Sequence, residues 1–211
     1  MTDLYLVRHG ETDWNRQRRI QGLTDIPLNA TGREQARATG MLLTRRHWDG
    51  IYASPLARAR ETAEIIAAEV GLPEPTLVDA LVERNYGEAE GLDWMQVETR
   101  FPHGAVVSGR ESREQVGARV IPALMELASD RPGESLLIVS HGGAIRAVLN
   151  EVEPEAAHGT ITNGSVHSFR LEDGALRLIA FDDPIEAESI GKDCGDIDEQ
   201  NRVEAMEDGA T

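Results

Sequence analysis

The chain has a single cysteine, Cys194, so it can hold neither an internal disulfide nor a cysteine metal cage. It has a single lysine as well, Lys192; the other 20 of its 21 basic residues are arginine. No apolar run approaches the roughly 18 residues that a membrane helix needs. A strand-like pattern begins at Leu4, almost at Met1, so no signal peptide is expected, and a cytoplasmic protein is. There is no His-Glu-x-x-His pair, no acidic calcium loop and no strand-Gly-Lys nucleotide loop. Neither a metal, nor ATP, nor another cofactor is expected. Without a secretory route the Asn163-Gly164-Ser165 sequon reads as an idle match.

Acid outweighs base. The 37 Asp and Glu against 21 Lys and Arg give a net charge of −16, which argues against nucleic acid or an acidic membrane as partner. The excess is uneven. Between Asp182 and Thr211 eleven acids face only Lys192 and Arg202, and no strong period is present, so 182–211 reads as a partly disordered acidic tail. Residues 1–181 read as one domain, long enough for a real core. The acidic surface leaves a homodimer open. An anionic ligand would need a local cluster of arginines.

Two stretches share one pattern. Leu4-Tyr5-Leu6-Val7 runs into Arg8-His9-Gly10, and Leu136-Leu137-Ile138-Val139 runs into Ser140-His141-Gly142. Each is a buried-type strand that delivers a histidine at its carboxyl end, where ligands bind in open α/β sheets. An unprotonated histidine can attack phosphorus. Arginine presents a planar fork of donors to phosphate oxygens, and Gly10 would let backbone approach a ligand closely. In the polar segment that follows, Asn15, Gln21 and Gly22 are candidate donors to a phosphate.

Alternation of element types predicts an α/β class. Thr31 and Glu34 form a capping-box match opening a helix to about Arg46. Gly50–Ala53 is a short strand; Ser54 and Pro55 read as N-cap and first residue of a helix ended by Gly71 and Pro73. Arg58 falls in the first turn of that helix, directed at the same edge as His9. In the loop 81–91, Glu83 follows an apolar pair and is the carboxyl best placed to be drawn inward as a proton donor. A short helix from Asp93 to Arg100 and a Pro/Gly-interrupted wall from Phe101 to Gly109 come next, with His103 a candidate within it. Ser112 and Gln115 cap a further helix with Val116, Val120, Ala123 and Leu127 on its core face and Pro122 as a kink or restart. Glu172-Asp173-Gly174 is a hairpin signal, so an antiparallel pair joins the sheet late.

Taken together, these residues resemble the histidine phosphatase superfamily in its phosphoglycerate mutase-like branch. The resemblance rests on Arg8-His9-Gly10-Glu11-Thr12 with Asn15, Gln21-Gly22, Ser54-Pro55-Leu56-Ala57-Arg58-Ala59 with Thr62-Ala63, Glu83 with Tyr86-Gly87 and Glu90-Gly91, and Ser140-His141-Gly142. It implies a three-layer fold, a mostly parallel sheet flanked by helices on both faces, with one antiparallel strand. It also implies that His9 becomes phosphorylated, that Arg8, Arg58 and His141 surround the phosphoryl group with Asn15 as a further donor, and that Glu83 is the proton donor. Gln21, Gly22, Gly142, Arg84 and Tyr86 fall to substrate binding. Glu83-Arg84-Asn85-Tyr86-Gly87 is similar to the mutases. Yet only about twenty residues separate Gly91 from Ser112, with Arg100 and Arg110 their only arginines, where mutases carry a longer basic insertion. The expectation is therefore a phosphomonoester phosphatase acting on a small phosphorylated substrate. The alternatives are a phosphoglycerate mutase and, from another class, an inactive scaffold that binds a phosphorylated ligand.

Overall fold

In the computed structural model, residues 1–103, 105–183 and 185 are described. The elements are β1 (Thr2–Arg8), α1 (Asp13–Arg16), α2 (Ala30–Leu43), β2 (Gly50–Ala53), α3 (Ala57–Val70), β3 (Thr76–Leu77), α4 (Trp94–Arg100), α5 (Arg113–Asp130), β4 (Ser135–Ser140), α6 (Gly142–Val152), β5 (Val166–Glu172) and β6 (Ala175–Ala180). The strands form one sheet in the order β3-β2-β4-β1-β5-β6. β3, β2, β4 and β1 are parallel; β5 is antiparallel to both β1 and β6, so it alone runs against the rest.

Successive strand residues point to opposite faces, and both faces are apolar. Leu4, Leu6, Leu136 and Ile138 join α5 and α6 in one core cluster, while Tyr5, Val7, Leu137 and Val139 join α2 and α3 in another. The result is the expected three-layer α/β architecture. Each fully buried leucine or isoleucine contributes about 1.5–3 kcal/mol. β1 and β4 are neighbours, but their chains leave in opposite directions: β1 leads by α2 to β2, and β4 leads by α6 to β5. A crevice opens at such a reversal.

Local details depart from the sequence reading. α2 is capped by Asn29, whose side chain accepts the N–H of Gly32, and not by Thr31. It stops at Leu43, not Arg46, where the Trp48 indole donates to the Leu43 carbonyl at 2.7 Å. Ser54 and Pro55 precede α3 and do not start it. The Ala57 N–H is capped at 2.8 Å by Asp25, from a distant loop, which leaves Ser54 for another partner. α5 is capped by Ser112 as expected, but its buried stripe is Val116, Val120, Leu124 and Ala128. At 3.6 residues per turn each step of four drifts by about 40°, so the buried stripe winds round the helix, and Leu127 is partly buried against the same core. Pro122 lies inside this one helix, which does not restart. The expected acidic tail falls, apart from Asp182, Asp183 and Ile185, outside the described residues. Among the described residues no helix is long and apolar enough to cross a membrane.

Candidate active site

The register of β1 on β4 decides the geometry. Arg8 lies opposite Ser140, so the next residues, His9 and His141, emerge side by side at the carboxyl edge. Their ring centroids are 5.1 Å apart, and both residues are buried. His9 Nδ1 lies 2.7 Å from the Gly10 carbonyl. A carbonyl only accepts, so Nδ1 carries the hydrogen and Nε2 keeps its lone pair. Burial, then the charges of Arg58 and Arg8, push the His9 pKa well below its ordinary value, so the ring is neutral at neutral pH. Asn163 fastens the residue by donating from Nδ2 to the His9 carbonyl at 2.8 Å.

His141 is held by its other ring nitrogen. Nε2 lies 2.8 Å from the Ser54 hydroxyl, which already accepts the Leu56 N–H at 3.3 Å. Among the described residues the serine's own hydrogen has no acceptor but the ring nitrogen, and Nδ1 then bears the imidazole hydrogen. That Nδ1 has no hydrogen-bond partner among the described residues. Burial, then the charges of Arg58, Arg8 and Arg119, lowers the His141 pKa well below its ordinary value.

Arg58 comes from the first turn of α3 and is fully buried. Its Nη1 and Nη2 donate to the carbonyls of Thr24 and Gly22 at 3.0 and 2.7 Å, while Nε has no partner among the described residues. Burial lowers its pKa to about 10 against the pull of Glu83, Asp25 and Glu90, so it stays cationic at neutral pH. Arg8 anchors Nη1 on the Ile161 carbonyl at 2.6 Å. Gly142 borders Arg8: a Cβ there would sit 3.5 Å from Nε, an ordinary van der Waals contact. Gln21 is oriented by the Thr12 hydroxyl, which donates to Oε1 at 2.8 Å; this presents Nε2, again without a partner among the described residues. Asn15 caps its own short helix by accepting the Thr12 N–H at 3.0 Å.

Leaving a buried donor unpaired costs about 1–3 kcal/mol. Arg58 Nε, His141 Nδ1 and Gln21 Nε2 are three such donors on residues the sequence had singled out, and an anion would satisfy them. Among the described residues no group of three or more His, Cys, Asp and Glu is placed to hold a metal ion.

Glu83 is fully buried. Its carboxylate accepts the N–H groups of Arg84 at 2.7 Å, Ala144 at 3.1 Å and Gly143 at 3.2 Å. It therefore sits on the first turn of α6, directly after His141, where the helix favours negative charge. Arg84 donates from Nε to the Glu111 carbonyl at 2.7 Å. Arg84 and Arg110 lie 5.3 and 5.6 Å from the Tyr86 ring centroid, and Tyr86 packs with Ile20, Ala89 and Val107 in a small core of its own. The wall after Phe101 thus docks on Tyr86, while His103 is exposed. Glu90 ties the loop at Leu23 and Thr24 to the loop at Tyr86, accepting the N–H groups of Leu23, Thr24 and Tyr86 and the Thr24 hydroxyl. Its carboxylate fills the space beside Gly22, at φ 55°, where a Cβ would come within 2.0 Å.

Gly10 differs from the sequence reading. The space beside it belongs to Gly32 of α2, whose carbonyl oxygen would lie 2.3 Å from a Cβ, so the close approach is helix on loop and not ligand on loop. Sequence reasoning missed Asn163, set aside as a sequon, and gave no role to Thr62, quoted with the Arg58 motif, whose hydroxyl accepts the Gly10 N–H at 3.1 Å. The four-residue step from Arg58 to Thr62 was the available signal for the latter.

A family model of the histidine phosphatase superfamily (branch 1) matches residues 4–184. A Bacillus subtilis protein named as the uncharacterized phosphatase PhoE is 40% identical over 181 residues, covering 84% of this chain and 93% of its own. A 2,3-bisphosphoglycerate-dependent phosphoglycerate mutase of Cytophaga hutchinsonii is 32% identical over 203 residues, covering 90% and 92%. Among solved structures, a histidine-to-alanine variant of phosphoserine phosphatase from Entamoeba histolytica, in complex with phosphoserine, superposes with a TM-score of 0.75. It is 30% identical and covers 87% of this chain and 98% of its own.

Proposed function

The chain belongs to branch 1 of the histidine phosphatase superfamily and is a phosphohydrolase of that family, and on this premise we propose that it is a phosphomonoester phosphatase working through a phosphohistidine at His9 on a small phosphorylated metabolite. The observation that carries the reading is a histidine held neutral with Nε2 unprotonated, with Arg58 and His141 close to it carrying buried donors that have no partner among the described residues.

Arg8, Arg58 and the His141 N–H hold the oxygens of the phosphoryl group, with amide donors from Gln21 and Asn15. His9 Nε2 attacks phosphorus in line; the N–P bond forms as the P–O ester bond breaks. The transition state is loose and needs charge stabilisation and alignment more than covalent help, which two buried arginines supply. Glu83 gives its proton to the leaving oxygen. An anion arriving beside a carboxylate favours proton uptake by it. Water then attacks the phosphohistidine and passes a proton to Glu83, inorganic phosphate leaves, and His9 is restored. Between Gly91 and Ser112 the described residues carry only α4 and loop. So short a wall favours water over a second organic acceptor.

The test is phosphate release from an aryl phosphate with a chelator present. Wild type is expected to turn over and His9→Ala to lose about 10,000-fold or more, as removal of a nucleophile does. Efficient interconversion of phosphoglycerates with a bisphosphoglycerate primer, and little release, would make the protein a mutase instead.

A further inference from the structure

Glu83 lies in a stretch without regular structure beyond the 3-10 turn Asp79–Leu81, yet its carboxyl group must be held to a fraction of an ångström to deliver a proton. Most of what holds the backbone there comes from one side chain. Arg119, on α5, donates from Nη1 to the carbonyls of Ala80 and Val82, both at 2.8 Å, and from Nη2 to the carbonyl of Glu83 at 2.9 Å. Its remaining donors go to Glu111: Nε to Oε1 at 2.9 Å and Nη2 to Oε2 at 3.0 Å. A guanidinium has five N–H donors, and Arg119 uses all of them on this cluster, with none directed at a ligand.

Glu111 in turn anchors the two residues after the acid. Its Oε2 accepts the Asn85 N–H at 3.1 Å, its own N–H donates to the Asn85 carbonyl at 2.8 Å, and its carbonyl accepts Arg84 Nε. Burial works to raise the Glu111 carboxyl, but the hydrogen bonds from Arg119 and Asn85 and the charges of Arg119 and Arg84 outweigh it, so it is held below its ordinary value and stays ionised.

We infer that Arg119 and Glu111 form a buckle that positions Glu83, so that proton delivery to the leaving group depends on two residues that touch neither substrate nor phosphate. The inference rests on the reading of Glu83 as the acid. A lysine cannot replace the arginine, because three donors on a single nitrogen cannot span three carbonyls and a carboxylate.

The experiment measures kcat/KM of wild type, Arg119→Lys, Glu111→Gln and Glu83→Gln on p-nitrophenyl phosphate, whose leaving group departs without a proton, and on glycerol phosphate, whose alkoxide does not. Thermal unfolding selects conditions in which each protein is folded, and two buckle variants guard against loss of either one. Glu83→Gln is expected to lose far more on the alkyl ester than on the aryl ester. Arg119→Lys and Glu111→Gln are expected to share that selectivity, losing about 10- to 100-fold on the alkyl ester and under about threefold on the aryl ester. Equal losses on both esters, or none, overturn the buckle, since a merely structural role does not sense the leaving group. If Glu83→Gln shows no selectivity, the acid is another group, and the inference falls with that assignment. Wild type inert on both esters overturns the phosphatase reading itself.

Discussion

His9, His141 and His167 are all buried, and each has its pKa pushed down. His167 is the one outside the proposed chemistry. Burial, then the charges of Arg146 and Arg8, lowers it to about 3. Its Nε2 lies 3.0 Å from the Ser165 hydroxyl, and its Nδ1 accepts the Asp182 N–H at 3.1 Å, a bond that protonation at Nδ1 would break. In the unfolded chain the same imidazole protonates below about pH 6.5. Between about pH 6.5 and 3 the unfolded state therefore binds more protons, and stability falls as pH falls, by up to ~1.4 kcal/mol per pH unit for each such histidine. At pH 7 and above the contribution is intact. The expected outcome is that the urea midpoint of wild type drops between pH 7 and 5 more steeply than that of His167→Gln. The comparison removes the opposing effect of net charge, which is common to both proteins. Parallel slopes would mean that His167 does not carry this cost.

At the scale of elements, the contact that seats the loop after His9 is one of backbone against backbone. A Cβ on Gly32 would lie 2.1 Å from the Glu11 carbonyl oxygen. Asn29 caps α2, its N–H donates to that same Glu11 carbonyl at 3.0 Å, and its Nδ2 donates to the Glu11 carboxylate at 2.6 Å. Helix propensity alone says that Gly32→Ala should stabilise α2. The contact says the reverse: a destabilisation of about 1–3 kcal/mol with loss of activity. Gly117→Ala in α5, where the nearest atom would be 3.7 Å away, is the control and is expected to stabilise by about 0.5–1 kcal/mol. Urea unfolding of the two variants decides the point; the same sign for both would contradict the seating role. This contact also shows why element existence was legible while element ends were not. Apolar periodicity marked β1, β2, β4, α3 and α5. The caps depended on Asp25, 32 residues from Ala57, and on Trp48 beyond the end of α2, which no local pattern announces.

At the scale of the molecule, an acidic chain with a net charge of −16 buries its decisive arginines and turns them to one edge of the sheet. The two histidines were legible because a parallel pair in register carries equivalent residues to the same edge, and the apolar pair before Glu83 betrayed its burial. The supports were not. Ser54 meets His141 across 87 residues, Asn163 meets His9 across 154, and Arg119 meets Glu83 across 36; each is a polar residue whose meaning exists only once the sheet has closed. The claim on which the rest depends is that phosphorus is carried on His9. The measurement is rapid acid-free quenching during turnover of a radiolabelled aryl phosphate, whose leaving group needs no proton from Glu83, followed by peptide mapping. The account predicts a label that is stable to alkali and labile to acid, located on His9, longer-lived in Glu83→Gln and absent from His9→Ala. No label at any quench time in Glu83→Gln, or a label on another residue, would contradict it.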